Sequence, residues 1–285
     1  MSKKVIISTD SVCDLPQDIR EEFGISVLPL TVTLGEKSYR DGLEIDAAKI
    51  FAAYKESGLL PKTSAISPAE FMDFFQPFVD DGCEVVHITI GSKLSGTYQN
   101  CCIAASMLEG VYPVDSNNLC GGTGLLVIEA ARMIAQGMDA RQVQELCLRL
   151  RNRIRSSFVL DTLDFLAAGG RCSSVLARGA NLLQLKPSIE LDHETGELRT
   201  SKKYRGSYPK CVQSYIRDTL ARGGDIDTSC AILASTGVDR ALLDECRKTI
   251  QSCVKFDEIL EVTASCTISS HCGPNTVGFF FKTNT

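Results

Sequence analysis

The stretch "VVHITIGSKLSGTYQNCCIAASM", residues 85–107, changes character twice. Val85, Val86, Ile88 and Ile90 form a nearly continuous apolar run, as a parallel strand covered on both faces would. "GSKLSGTY" (91–98) follows as a turn rich in glycine and hydroxyl side chains. Beyond it, Tyr98, Cys101, Cys102 and Ala105 recur at helical spacing. A strand, a tight turn and a helix in this order are the repeating element of an α/β sheet.

Working outward, the same alternation fills the first half. "VIIS" (5–8) and "VYPVDS" (111–116) read as short strands, and "ISVLPLTVTL" (25–34) is β-rich. "GEKSYRDGLEID" (35–46) is turn-rich and suits a small hairpin. "SPAEFMDFFQPFVDDG" (67–82) opens with a Ser cap, Pro at the first helical position and Glu in the first turn. "GGTGLLVIEAARMIAQG" (121–137) reads as a helix ended by Gly137. This half predicts an open, mostly parallel α/β sheet with right-handed crossovers. After a boundary placed near Ser156 the pattern differs. The apolar run "GANLLQL" (179–185) leads into "KPSIELDHETGELRTSKKYRG" (186–206), two β runs around an E-T-G-E turn. Later strands and helices suggest a mixed sheet with helices on one face. The reading is therefore an α/β protein with domains at 1–156 and 157–285.

Composition narrows the class. The 285 residues are 44% apolar and 23% charged, which describes a globular chain with a core that needs no cross-links. A net charge of −5 and the lack of a basic stripe with aromatics argue against a nucleic-acid partner. No window approaches the ~18–20 apolar residues of a spanning helix, and the N-terminal apolar run is too short for a signal peptide, so a cytoplasmic location is expected. Thirteen cysteines show no C-x-x-C pair, and the three histidines show no zinc spacing. Reduced core thiols and no metal site are expected.

Four stretches carry chemistry. The 91–98 turn exposes backbone N–H groups at a helix N-terminus and favours an anion. Capping by its Ser and Thr explains the same residues, and spacing leaves both readings open. It is neither a Walker A nor a G-x-G-x-x-G motif. "PKTSAISP" (61–68) is a second hydroxyl-rich loop, and "SSHCGPN" (269–275) sets His271 in a loop among Ser, Gly and Pro. "AAGGRCS" (167–173) offers Arg171 after a Gly pair.

"STDSVCDLP", "YRDGLEI", "KTSAISPAEF", "SKLSGTYQ", "DTLDFLAAGGR" and "HCGPNTVG" resemble, in this order and across the whole chain, the signature segments of the DegV family. The resemblance implies a two-domain α/β protein that binds one long-chain fatty acid between its domains. It implies no catalysis of its own. The bound carboxyl group is presented to a separate dihydroxyacetone-kinase-like fatty-acid kinase subunit, which converts it to acyl phosphate for phospholipid synthesis. Carried over residue by residue, the ligand-binding positions are Thr63, Ser64, Ser95, Gly96, Thr97 and His271. Arg171 and Arg205 match basic positions that dock the kinase, and no cofactor is implied. The chain departs from the family pattern at Ala65 (usually Gln), Cys272 (more often Thr) and Asn275 (usually Gly). Two other readings compete: a stand-alone serine hydrolase using Ser95 and His271, which lacks a G-x-S-x-G elbow, and a lipid-responsive interaction protein with no kinase partner.

Overall fold

The computed structural model describes residues 3–172 and 185–285, so residues 179–184 of the run at 179–185 fall outside it. In the N-terminal half, β1 (Val5–Asp10), β2 (Ser26–Leu28), β6 (Glu84–Thr89) and β7 (Val111–Asp115) form a parallel sheet in the order β2-β1-β6-β7. Val85 and Val86 pair with Ile6 and Ile7 on one side and with Val111 and Tyr112 on the other. α3 (Pro68–Asp80) lays Phe71 and Phe75 against His87 of β6, and its Ser67–Glu70 capping box is complete. β6 then passes through residues 91–96 into α4 (Thr97–Ala105), as the sequence predicts.

The β-rich run at 25–34 is not one strand. Pro29 lacks the N–H that a ladder needs, and the chain changes sheets there. β3 (Thr31–Leu34) pairs antiparallel with β4 (Lys37–Arg40) and β5 (Lys62–Ser64) in a separate sheet of order β4-β3-β5. The hairpin expected from residues 35–46 is thus completed by β3. Thr63 and Ser64, read from sequence as loop residues, lie in β5.

The C-terminal sheet has the order β10-β9-β8-β13-β11-β12. Its strands are β8 (Ile154–Val159), β9 (Leu185–Leu191), β10 (Leu198–Arg205), β11 (Ile226–Thr236), β12 (Ile259–Thr263) and β13 (Thr276–Thr283). It is antiparallel except for the β11–β12 pair. Ser156 lies inside β8, so the division between sheets falls just before Ile154 rather than at Ser156. The half's own helices α8 (Tyr208–Ala221) and α9 (Arg240–Cys253) pack on one face, burying Phe279 and Phe281 with Tyr215 and Ile250. Phe280 points the other way, onto α5 (Cys120–Ala135) of the N-terminal half.

α5 is the layer both halves share. It touches β1 on one side and β8, β11 and β13 on the other. Glycines allow this close approach: a Cβ at Gly121 would lie 2.7 Å from Ile232 and Phe280, and one at Gly124 would lie 2.7 Å from the Cys13 carbonyl. Each fully buried Leu or Phe around it contributes roughly 1.5–3 kcal/mol of transfer free energy. Ten of the thirteen cysteines are buried, filling the core as small hydrophobes. No described helix is long and apolar enough to cross a membrane.

Candidate functional site

Between the halves lies a cavity with about 700 Å³ of unfilled space, counted out to its open mouth. Its walls are apolar, with Ile90, Leu94, Leu119, Phe158 and Ile268 among them. A narrower space adjoins it behind Leu119, Phe158, Ile268 and Cys272, and there Phe280 forms part of the wall. The exposed lining residues Ser64, Gly96 and Arg171 mark the mouth, beside Thr63, Ser95 and His271. One long apolar slot with hydroxyls and an imidazole at its opening suits an amphiphile with a hydrogen-bonding head.

Thr63 and His271 come from opposite halves and meet there, with Oγ1 and Nε2 2.8 Å apart. Thr63 is fixed by its strand, opposite Val32 of β3. His271 is not on a loop, as the sequence suggests, but in the last turn of α10 (Cys266–Cys272). "CTISSHC" is a poor helix former, rich in β-branched and hydroxyl residues. Tertiary contacts build the helix instead. Asp41, from the β4–α2 turn (α2 is Ala47–Ser57), accepts the N–H groups of Cys266 at 2.8 Å and Thr267 at 3.1 Å. Asp14 accepts the Ser265 N–H at 2.9 Å, and Ser265 itself caps Ile268. Two carboxylates at a helix N-terminus also complement its dipole. Burial pushes Asp14 up to about 7 despite these hydrogen bonds.

The other edge of the His271 ring packs on the end of α7 (Asp164–Gly169), where a Cβ at Gly169 would overlap Nδ1. Nδ1 is buried without a hydrogen-bond partner among the described residues. Burial, reinforced by the Arg171 guanidinium, holds the imidazole pKa down to about 4, so the ring is neutral at physiological pH. Arg171 is tethered at the mouth through the Gly169 carbonyl at 2.6 Å and the Leu94 carbonyl at 3.4 Å. This cation, which the resemblance assigns to partner docking, also borders the cavity.

The remaining predicted residues divide. Ser95 lines the cavity and accepts the Thr97 N–H at 3.2 Å, so it serves as turn former and as lining hydroxyl at once. Thr97 is fully buried and does not line the cavity; its hydroxyl backs Ser95 at 2.8 Å. Arg205 is exposed at the end of β10 and lies outside the cavity wall. Sequence reading missed Thr267, whose buried hydroxyl lacks a partner among the described residues and whose residue lines the cavity. It also missed the positioning roles of Asp14, Asp41 and Gly169, although all three lie in segments quoted for the resemblance. The Ser95–His271 pair expected of a hydrolase is not formed. Nε2 faces Thr63, Ser95 Oγ faces Thr97, and no described carboxylate orients Nδ1.

Comparison with known proteins places the chain in a family. The family model described as "Uncharacterised protein, DegV family" matches residues 4–284. A DegV domain-containing protein of Caldanaerobacter subterraneus is 34% identical over 283 residues, covering 98% of this chain and 99% of that one. A Thermus thermophilus DegV family protein, described as binding fatty acid, superposes with a TM-score of 0.90 at 31% identity, covering 98% and 99% of the two chains. A stearic-acid-binding protein of Eubacterium ventriosum gives a TM-score of 0.85 at 26% identity, covering 99% and 98%. With the match running almost end to end, the chain belongs to the DegV family.

Proposed function

We propose that this protein binds one long-chain fatty acid, with the tail in the interdomain cavity and the carboxyl group at Thr63, Ser95 and His271. The observation that carries this reading is the Thr63–His271 contact, which closes a polar mouth over an apolar slot formed by both halves. Burying a 16-carbon chain at ~0.8 kcal/mol per methylene is worth on the order of 11 kcal/mol before binding costs. The tail therefore sets affinity, and the mouth sets where the carboxyl group stands.

The protonation state of the mouth follows from the ring. A neutral imidazole has one N–H. With that proton on Nε2, His271 donates to Thr63 Oγ1, and the Thr63 hydroxyl donates onward to the carboxylate. The Ser95 hydroxyl supplies a second donor from the α4 side. Arg171 offsets charge from the rim rather than from a bidentate clamp. A carboxylate held mainly by neutral donors stays ionised and nucleophilic. That is the state in which a separate kinase subunit could phosphorylate it, with Arg171 and Arg205 as exposed cations for docking. On this reading the protein is an acyl carrier that completes no reaction alone.

Native mass spectrometry of the purified protein, with extraction of bound lipid, tests the first half of the proposal. A single C14–C20 fatty acid per chain is expected. Delipidated protein that takes up none of these acids would refute it. Mixing loaded protein with a dihydroxyacetone-kinase-like subunit and ATP tests the second half. Lipid binding without acyl-phosphate formation would leave a lipid-responsive interaction protein instead.

A further inference from the structure

β10 has a second functional face. Leu198 lines the lipid cavity, while the next residue, Arg199, lines a separate cleft beside α8. This cleft has about 590 Å³ of unfilled space counted out to its opening. Arg155 of β8, Arg222 just beyond α8, His193 of the β9–β10 turn and Thr219 of α8 also line it. Strand register sets Ser157, Glu190 and Arg199 side by side across β8, β9 and β10. Arg155, two residues from Ser157, projects to the same face.

Two demands in this cleft are unmet. Arg222 is paired with Glu190 at 2.6 Å and Arg199 with Asp192 at 2.9 Å. Arg155 has no carboxylate partner among the described residues, and its Nη1 donates to the Asn152 carbonyl at 2.9 Å. Arg155 is nevertheless partly buried, and burial lowers its pKa, as expected of a cation without a carboxylate partner. Thr219 is only 8% exposed, and its hydroxyl has no hydrogen-bond partner among the described residues. Buried hydroxyls are ordinarily satisfied, so this one calls for a ligand atom. The field reaches the turn as well: burial, then Arg155, lowers the His193 pKa.

We propose that this cleft binds a small soluble phosphate-bearing anion, its oxygens bridging the Arg155 guanidinium and the Thr219 hydroxyl. Phosphate suits the site better than carboxylate, because several guanidinium forks can each address a different oxygen of a dianion. Glu190 is the one carboxylate in the lining that opposes an anion, and Arg222 neutralises it. The site shares no lining residue with the lipid cavity and does not depend on lipid binding.

Titration of the intact protein with inorganic phosphate at constant ionic strength tests this, read by NMR at the His193 ring and the Arg155 side chain. Saturable shifts are expected with phosphate and not with chloride. Arg155→Gln is expected to weaken phosphate binding at least about tenfold, as loss of a charge-assisted hydrogen bond does, with bound lipid unchanged. Thr219→Val, which keeps the side-chain shape, is expected to weaken it about threefold and decides the matter if Arg155→Gln does not fold. Phosphate shifts that match chloride, or wild-type phosphate affinity in the folded variants, would overturn the proposal. So would binding seen only with phosphatidylglycerol vesicles and not with free phosphate.

Discussion

Thr63 and His271 face each other across one opening but are held by different means. Thr63 sits in a strand whose neighbours belong to its own half, and ordinary ladder pairing fixes it. His271 sits on a seven-residue helix whose N-terminus is held by carboxylates of the other half, Asp14 and Asp41. The first residue is placed by local backbone geometry and the second by docking of the two halves. The mouth is therefore complete only when the halves are together, and its C-terminal side is the more easily undone.

Asp41 offers the strongest way to break this contrast. It receives two backbone N–H groups of α10 and the Ser11 hydroxyl at 2.9 Å, all in a buried place. Asp41→Ala leaves these donors unmet and is expected to cost about 4 kcal/mol in chemical denaturation. If it costs no more than a substitution at Thr63, α10 does not depend on borrowed carboxylates.

A pH series sharpens the same point. The folded-state pKa of His271, about 4, lies below its ordinary 6.5, so between those values the unfolded chain binds the additional proton. That contribution to stability is present above pH 6.5 and is lost as pH falls towards 4. Asp10 and Asp14, both raised to about 7, act in the opposite sense over pH 4–7, and His87, lowered to about 3, acts with His271. Comparing wild type with His271→Gln removes the shared contributions. Wild type is expected to gain roughly 3 kcal/mol on the variant between pH 4 and 6.5. A constant difference would mean the imidazole is not desolvated.

Gly169 gives a smaller effect with a sharper address. Gly169→Ala places a methyl group where Nδ1 now lies, at an overpacking cost of about 2 kcal/mol. The ring should shift away from Thr63, visible as a changed His271 imidazole NMR signal with fatty acid still bound. An unmoved ring would show that α7 yields instead. Thr63→Val is the mildest change, expected to cost about 1 kcal/mol in stability and to leave α10 intact by amide hydrogen exchange. Protection lost throughout α10 in this variant would place Thr63 in the docking itself.

The same contrast explains what could be read in the sequence. β6, the 91–96 turn and α4 follow from a local pattern, because apolar continuity, Gly and helical spacing all act within about twenty residues. The capping box of α3 is local too, and was legible. α10 was not, since its stability comes from residues more than two hundred positions away that carry no helical signal. Asp14 and Asp41 were visible within family-like segments, but nothing in those segments says that a carboxylate will meet a remote helix terminus. Asn275 shows the reverse. It stands where the family usually has Gly, and its backbone is left-handed at φ 53°, a conformation that Asn tolerates better than most residues. That departure is conformational. Ala65 and Cys272, the other two, line the cavity instead.

On the proposed function, the apolar slot supplies affinity while the mouth supplies position. Ser95→Ala and His271→Ala test it most directly, with fatty-acid affinity and kinase-dependent acyl-phosphate formation measured on the same preparations. Losing one neutral hydrogen bond costs about 0.5–1.5 kcal/mol, so affinity should stay within about tenfold of wild type. Phosphorylation should fall by on the order of a hundredfold, because small errors of placement are expensive in a transfer reaction. Wild-type phosphorylation in both variants, or loss of lipid in proportion to loss of phosphorylation, would contradict the account.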